Sequence, residues 1–163
     1  MKNIVVLLSF FSSVLAFAQS AKSIEIIAPD NGKTIFTSAD LLRYPQHNID
    51  SIQITNHLKE YKSTLKNIKG VLLRDVLSKI SFKEKSPKVL SEYYMVCIAE
   101  DGYKVVFSWN EIFNTAVGNN VMIIPEMESR IKEGISTLSP ADFATGRRYV
   151  KMLKTIQLKK ISE

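Results

Sequence analysis

Tyr93-Tyr94-Met95-Val96-Cys97-Ile98-Ala99-Glu100-Asp101-Gly102-Tyr103-Lys104-Val105-Val106-Phe107-Ser108-Trp109-Asn110-Glu111 carries a complete supersecondary pattern. Residues 93–99 and 103–107 are rich in β-branched and aromatic side chains, and Asp101-Gly102 lies between them. That dipeptide predicts a type I′ hairpin turn. Ser108 stands three residues before Glu111, the spacing of a capping box, so a short helix is predicted through Phe113.

Toward the N-terminus, residues 23–28 alternate as a strand, and Pro29-Asp30-Asn31-Gly32 reads as a turn. Residues 34–36 pair back. Ser38 is the predicted N-cap of a short helix carrying Leu41 and Leu42, ended by Pro45. Residues 49–55 alternate again, and Tyr61, Ser63 and Leu65 suggest a returning strand before a break at Gly70. Leu73, Val76, Leu77 and Ile80 fall at helical spacing within residues 72–80. Residues 83–87 read as a charged loop.

Toward the C-terminus, Gly118-Asn119-Asn120 turns into an apolar strand at 121–124. Residues 126–133 are polar loop, 135–138 a short strand, and Ser139-Pro140-Ala141-Asp142 one helical turn. Gly146-Arg147-Arg148 is a basic loop, and residues 149–158 form a closing strand. The sum is an α+β fold: mixed, mainly antiparallel β-hairpins with short helices.

The first residues have a different character. Lys2 precedes an apolar run over residues 4–18, closed by Ala16-Phe17-Ala18. A positive start, an apolar centre and a small-x-small end make a cleavable signal peptide over residues 1–18. The run is shorter than the about 20 residues a membrane-crossing helix needs, so no anchor is expected after cleavage. The expected product is one domain, residues 19–163, exported to a periplasm or beyond. Net charge is +6 over the whole chain, mostly from scattered lysine. Scattered charge lacks the clustering of a nucleic-acid groove, so no nucleic-acid partner is expected. Cys97 is the only cysteine, which excludes an intrachain disulfide. Its place inside a strand predicts a buried, inert thiol.

Signatures of common chemistry are missing. The chain has no glycine-rich phosphate loop, no G-x-S-x-G elbow and no zinc-ligand spacing. Generic carboxylate pairs such as Glu126 and Glu128 read as solvated surface, so no catalytic or metal-binding residue is assigned. Two features stand out as candidate ligand contacts. Asp101 and Tyr103 are displayed by a tight turn. Arg147, Arg148 and Lys151 sit close together, and adjacent arginines hold oxyanions by bidentate hydrogen bonds.

These segments, in this order, resemble a family. Gly70-Val71-Leu72-Leu73-Arg74-Asp75-Val76-Leu77 is similar to the G-V-x-L-x-D-L-L helix start of the oxidoreductase molybdopterin-binding domain, the central domain of the sulfite oxidase family. The Asp101-Gly102-Tyr103 hairpin resembles its D-G-Y-x-x-x-F hairpin. Pro140 to Asp142 and Arg148 to Lys151 resemble its closing P-x-D … R-x-V-K segment. Residues 36–45 resemble its F-T-x-x-D-L entry. The likeness spans roughly residues 24–158 and implies a sulfite oxidase-like fold. Molybdopterin rests on this resemblance alone. The enzymes' molybdenum-binding cysteine would fall within residues 52–69, which hold none; Ile54-Thr55-Asn56-His57 stands there instead. The expectation is therefore an exported, non-catalytic domain with no cofactor, binding a small anionic or pterin-like ligand or an envelope protein. A molybdopterin-dependent oxidoreductase or its accessory subunit, and a structural envelope module, remain as alternatives.

Overall fold

The computed structural model describes residues 23–80, 84–126 and 128–161. The expected signal segment, residues 1–18, lies outside them. The chain runs β1 (Ser23–Ile27), β2 (Lys33–Thr37), α1 (Ser38–Leu41), β3 (His47–Thr55), β4 (Tyr61–Leu72), α2 (Leu73–Leu77) and α3 (Pro87–Leu90). It continues through β5 (Tyr93–Ala99), β6 (Lys104–Ser108), α4 (Trp109–Phe113), β7 (Met122–Ile124), β8 (Ser136–Leu138) and β9 (Leu153–Lys160). Tight 3-10 turns occupy Ala116–Asn119, Glu128–Glu133 and Thr145–Arg148.

The described strands make two sheets, one ordered β2-β1-β9-β5-β6 and the other β3-β4-β7-β8. Among the described strands only β1 and β9 pair in parallel; the remaining ladders are antiparallel. This is the mixed α+β architecture that the alternating segments predict. Alternation sets the core. Along β5, Tyr93, Met95, Cys97 and Ala99 point inward and their neighbours are half-exposed. Met95, Cys97 and Ala99 join a core with Ile24 and Ile26 of β1, Val105 and Phe107 of β6, Ile156 of β9, and Leu73, Val76 and Leu77 of α2. Each such burial is worth about 1.5–3 kcal/mol. A second cluster joins Ile54, Leu65, Ile68, Ile124, Leu138 and Tyr149 around the smaller sheet.

Several local expectations change. The N-cap of α1 is Thr37, not Ser38: Thr37 and Asp40 form a reciprocal capping box. Ser38 instead accepts a hydrogen bond from the Glu126 N–H. Gly70 does not break the chain but lies inside β4, where a Cβ would come within 2.8 Å of the Ile123 carbonyl. Residues 87–90 form α3, capped by Ser86 with Pro87 in its first turn, where the stretch that reads as a charged loop ends. The β5–β6 connection is not type I′. Gly102 alone in this turn has positive φ, at 86°, and its N–H donates to Ala99 while the Ala99 N–H donates to Tyr103. That is a three-residue loop closed by a left-handed glycine, the G1-bulge form. The closing strand begins late. Met152 takes a φ of 50°, so Val150 pairs with Thr137 of the smaller sheet before β9 joins the larger one.

Gly70→Ala is expected to lower stability by about 1–3 kcal/mol, the usual cost of overpacking. The drop would appear as a lower urea midpoint with an unchanged m-value.

Candidate functional site

A cavity of about 730 Å³ opens where the two sheets approach each other at the outer edge of β6. Tyr103, Lys104, Val105 and Val106 form one side. The end of β3 and the turn after it, Ile54 to His57, form a second side, with Lys62 from β4. Gly146 to Tyr149 and Lys151 complete the lining. The basic side chains here are His57, Lys62, Lys104, Arg147, Arg148 and Lys151, and no acidic residue lines the cavity.

Local chemistry holds these segments in place. The Thr145 hydroxyl donates to the Gln53 carbonyl at 2.7 Å and accepts from the Thr55 N–H at 3.0 Å. The tight turn is thereby bound to the edge of β3. A Cβ on Gly146 would stand 2.5 Å from the Thr55 carbonyl, so only glycine permits this approach. Across the cavity, the Tyr103 hydroxyl donates to the Arg147 carbonyl at 2.5 Å.

The expected contacts divide into different roles. Tyr103, Arg147, Arg148 and Lys151 converge on the cavity. Asp101 stays on the hairpin turn, where its carboxylate accepts the Tyr103 N–H. Arg148 has its donors committed within the protein. Nε and one terminal nitrogen donate to the Asp142 carboxylate, and the other terminal nitrogen donates to Glu111 at 2.5 Å. The guanidinium also lies 4.4 Å from the Phe107 ring centroid. The Asp142 hydrogen bond is the main cause that holds Arg148 firmly protonated, against the opposing effect of burial. Lys151 donates to Glu133, which also accepts from the Tyr149 hydroxyl. Burial and the Glu133 carboxylate push the Tyr149 phenol above its ordinary range.

Arg147 is exposed, with no side-chain hydrogen bond or ion pair among the described residues, and so are Lys62 and Lys104. The last two were not legible as site residues. Lys62 is one of many lysines in an exposed strand, and only its register beside the β3 turn brings it here. Ile54-Thr55-Asn56-His57, the segment standing where the resemblance places the molybdenum-binding cysteine, does line the cavity. It offers hydroxyl, amide and imidazole groups and no thiolate. Cys97 is fully buried among β5, β6 and β9, and burial pushes its thiol up to about 12. The residues present therefore do not fit a thiolate-held molybdenum centre. Among the described residues, no cluster of His, Cys, Asp and Glu is arranged to hold a metal ion, and no helix is long and apolar enough to cross a membrane.

Arg148→Met is expected to cost about 2–3 kcal/mol, because it strands two partly buried carboxylates, and Arg148→Lys is expected to recover only part of it. Urea unfolding of both variants measures this. Glu133 gives a pH signature. Burial alone would raise its pKa, but hydrogen bonds from Tyr149 and Lys151 and the charges of Lys151 and Arg130 hold it below the usual range. A lowered folded-state pKa adds stability that is present above the unfolded value, about 4.3, and lost as pH falls through the folded one. Glu133→Gln should flatten that acid limb in melting curves taken from neutral pH downward.

No protein-family model matches the chain, and no curated protein matches it in sequence. Its fold is shared with a solved structure, the sulfane dehydrogenase SoxCD from Paracoccus pantotrophus, at a TM-score of 0.58 and 15% identity. The match covers 84% of this chain and 38% of that one, so the chain spans well under half the length of its structural neighbour. The likeness is one of fold, to a chain of an oxidoreductase.

Proposed function

We propose that this protein is a non-catalytic domain of the oxidoreductase molybdopterin-binding type, and that it holds a small anionic or pterin-like ligand in the cavity beside β6. The observation that carries this reading is the make-up of the lining: several basic side chains, no acid, and Arg147, Lys62 and Lys104 left without internal partners. Arg148 takes a different part. Its carboxylate partners leave it as a strut rather than a ligand contact. The ligand-binding group is accordingly Arg147 with Lys62, Lys104 and His57, and Tyr103 fixes the Arg147 backbone. An arginine fork supplies parallel donors to an oxyanion, and the lysines add point charges.

The absent thiolate favours binding over redox catalysis. A metal centre held by a cysteine thiolate needs that thiolate at the cavity, and the one thiol of the chain is sealed in the core. We further propose that the protein works outside the cytoplasm, on the strength of the signal pattern in residues 1–18.

Sulfate is a suitable probe. At about 20 mM sulfate, against chloride at matched ionic strength, the melting temperature is expected to rise by about 3–6 °C if the dissociation constant is near 1 mM. Arg147→Ala combined with Lys62→Ala should abolish the rise while leaving the melt in chloride unchanged. An equal rise in the double variant would overturn the assignment.

A further inference from the structure

The cavity borders a strand edge whose backbone is unpaired. In the five-stranded sheet β6 is terminal, with β5 on one side and the cavity on the other. The direction of each backbone group follows from the ladder. The Ala99 N–H donates to the Tyr103 carbonyl, and Cys97 faces Val105 and Met95 faces Phe107 in register. Hydrogen-bonded pairs alternate along an antiparallel ladder, so Tyr103, Val105 and Phe107 turn their backbone groups toward β5. Lys104, Val106 and Ser108 turn theirs outward. The Ser108 N–H is taken by the Glu111 carboxylate at 3.3 Å, which closes that end of the edge. Lys104 and Val106 keep an N–H and a C=O each with no partner among the described residues, and both line the cavity.

The edge of β3 is treated differently. Beside the same cavity, Thr145 occupies both the Thr55 N–H and the Gln53 carbonyl. One edge at this site is thus covered by the protein itself and the other is left open. Edges left open are commonly blunted by charge or kept very short. Here Lys104 guards one end, yet Val106 is 51% exposed and Tyr103 44%, so the open edge also presents apolar surface.

We propose that the β6 edge is a docking site for an extended, acidic peptide segment of a partner protein. The segment adds to β6 as a further strand, pairing with Lys104 and Val106. Main-chain hydrogen bonds of this kind supply affinity, and side-chain contacts supply choice. Side chains on one face of the segment would meet Val106, and those on the other would meet Tyr103 and bring a carboxylate to Arg147 and Lys62. The lining of basic residues without an acid is the charge complement of such a segment. This inference rests on the anion-binding reading of the cavity and identifies the anion as a carboxylate carried on a strand.

The test uses the purified protein and an acetylated, amidated peptide of about seven residues alternating glutamate with valine or threonine, a length that matches a typical strand. The glutamate peptide is expected to bind at least about tenfold more tightly than its glutamine counterpart, a difference of about 1.4 kcal/mol. Sulfate should compete with it, and the Lys104 and Val106 amides should slow in hydrogen exchange while the Val105 amide is unchanged. Val106→Pro removes an outward N–H, which proline at an edge tolerates, and should abolish peptide binding with the melt still cooperative. If sulfate stabilises the protein but the peptide neither binds nor protects those amides, the strand proposal fails and the anion reading stands. Equal binding of the glutamine peptide, or binding that protects other amides, also overturns the strand proposal. If neither probe acts, both readings fall.

Discussion

One guanidinium ties the two halves of this fold together at the place where the cavity opens. Arg148 lies in the turn that follows the smaller sheet, and its partners are Asp142 in that same connection and Glu111 on α4, which follows β6 in the larger sheet. Its plane covers Phe107 on the inner side of β6. Two carboxylates and a ring thus fix the tight turn against the larger sheet, while Thr145 and Gly146 fix it against the smaller one. The position of Arg147 depends on both attachments. A point charge on a flexible stem in place of Arg148 would satisfy fewer of these oxygens at once.

Much of the fold was legible because alternation and capping are local signals. The capping box of Ser108 and Glu111 occurs as read, and so do Leu73, Val76 and Leu77 of α2, although the helix ends at Leu77 and leaves Ile80 beyond it. What escaped was set by distant parts of the chain. Gly70 reads as a break until Ile123 is brought against it. Val150 reads as part of the last strand until Thr137 captures its backbone and Met152 turns left-handed. The hairpin glycine was recognised, but the register of β5 and β6, not the dipeptide, chose the three-residue loop.

The site was partly legible for the same reason. Arg147, Arg148, Tyr103 and Lys151 were marked by residue type and proximity, and they do meet at one cavity. Type alone could not separate the structural arginine from the exposed one, since their roles differ through Asp142 and through Glu111, the latter 37 residues away. Lys62 and Lys104 carried no mark at all. A lysine becomes part of a site through what lies across from it, and that is a property of sheet order.

The parallel pairing of β1 with β9 has a consequence for how the molecule comes to be folded. Ile26 belongs to the first of the described strands, and its partner Ile156 to the last. β1 occupies an interior position in its sheet, with β2 on one flank and β9 on the other, so the larger core lacks a strand until β9 has been made. Contacts this distant in sequence delay closure, since the loop entropy is paid before the pairing is gained. A chain with this wiring cannot close its larger sheet before β9 has emerged, however early β1 and β2 pair.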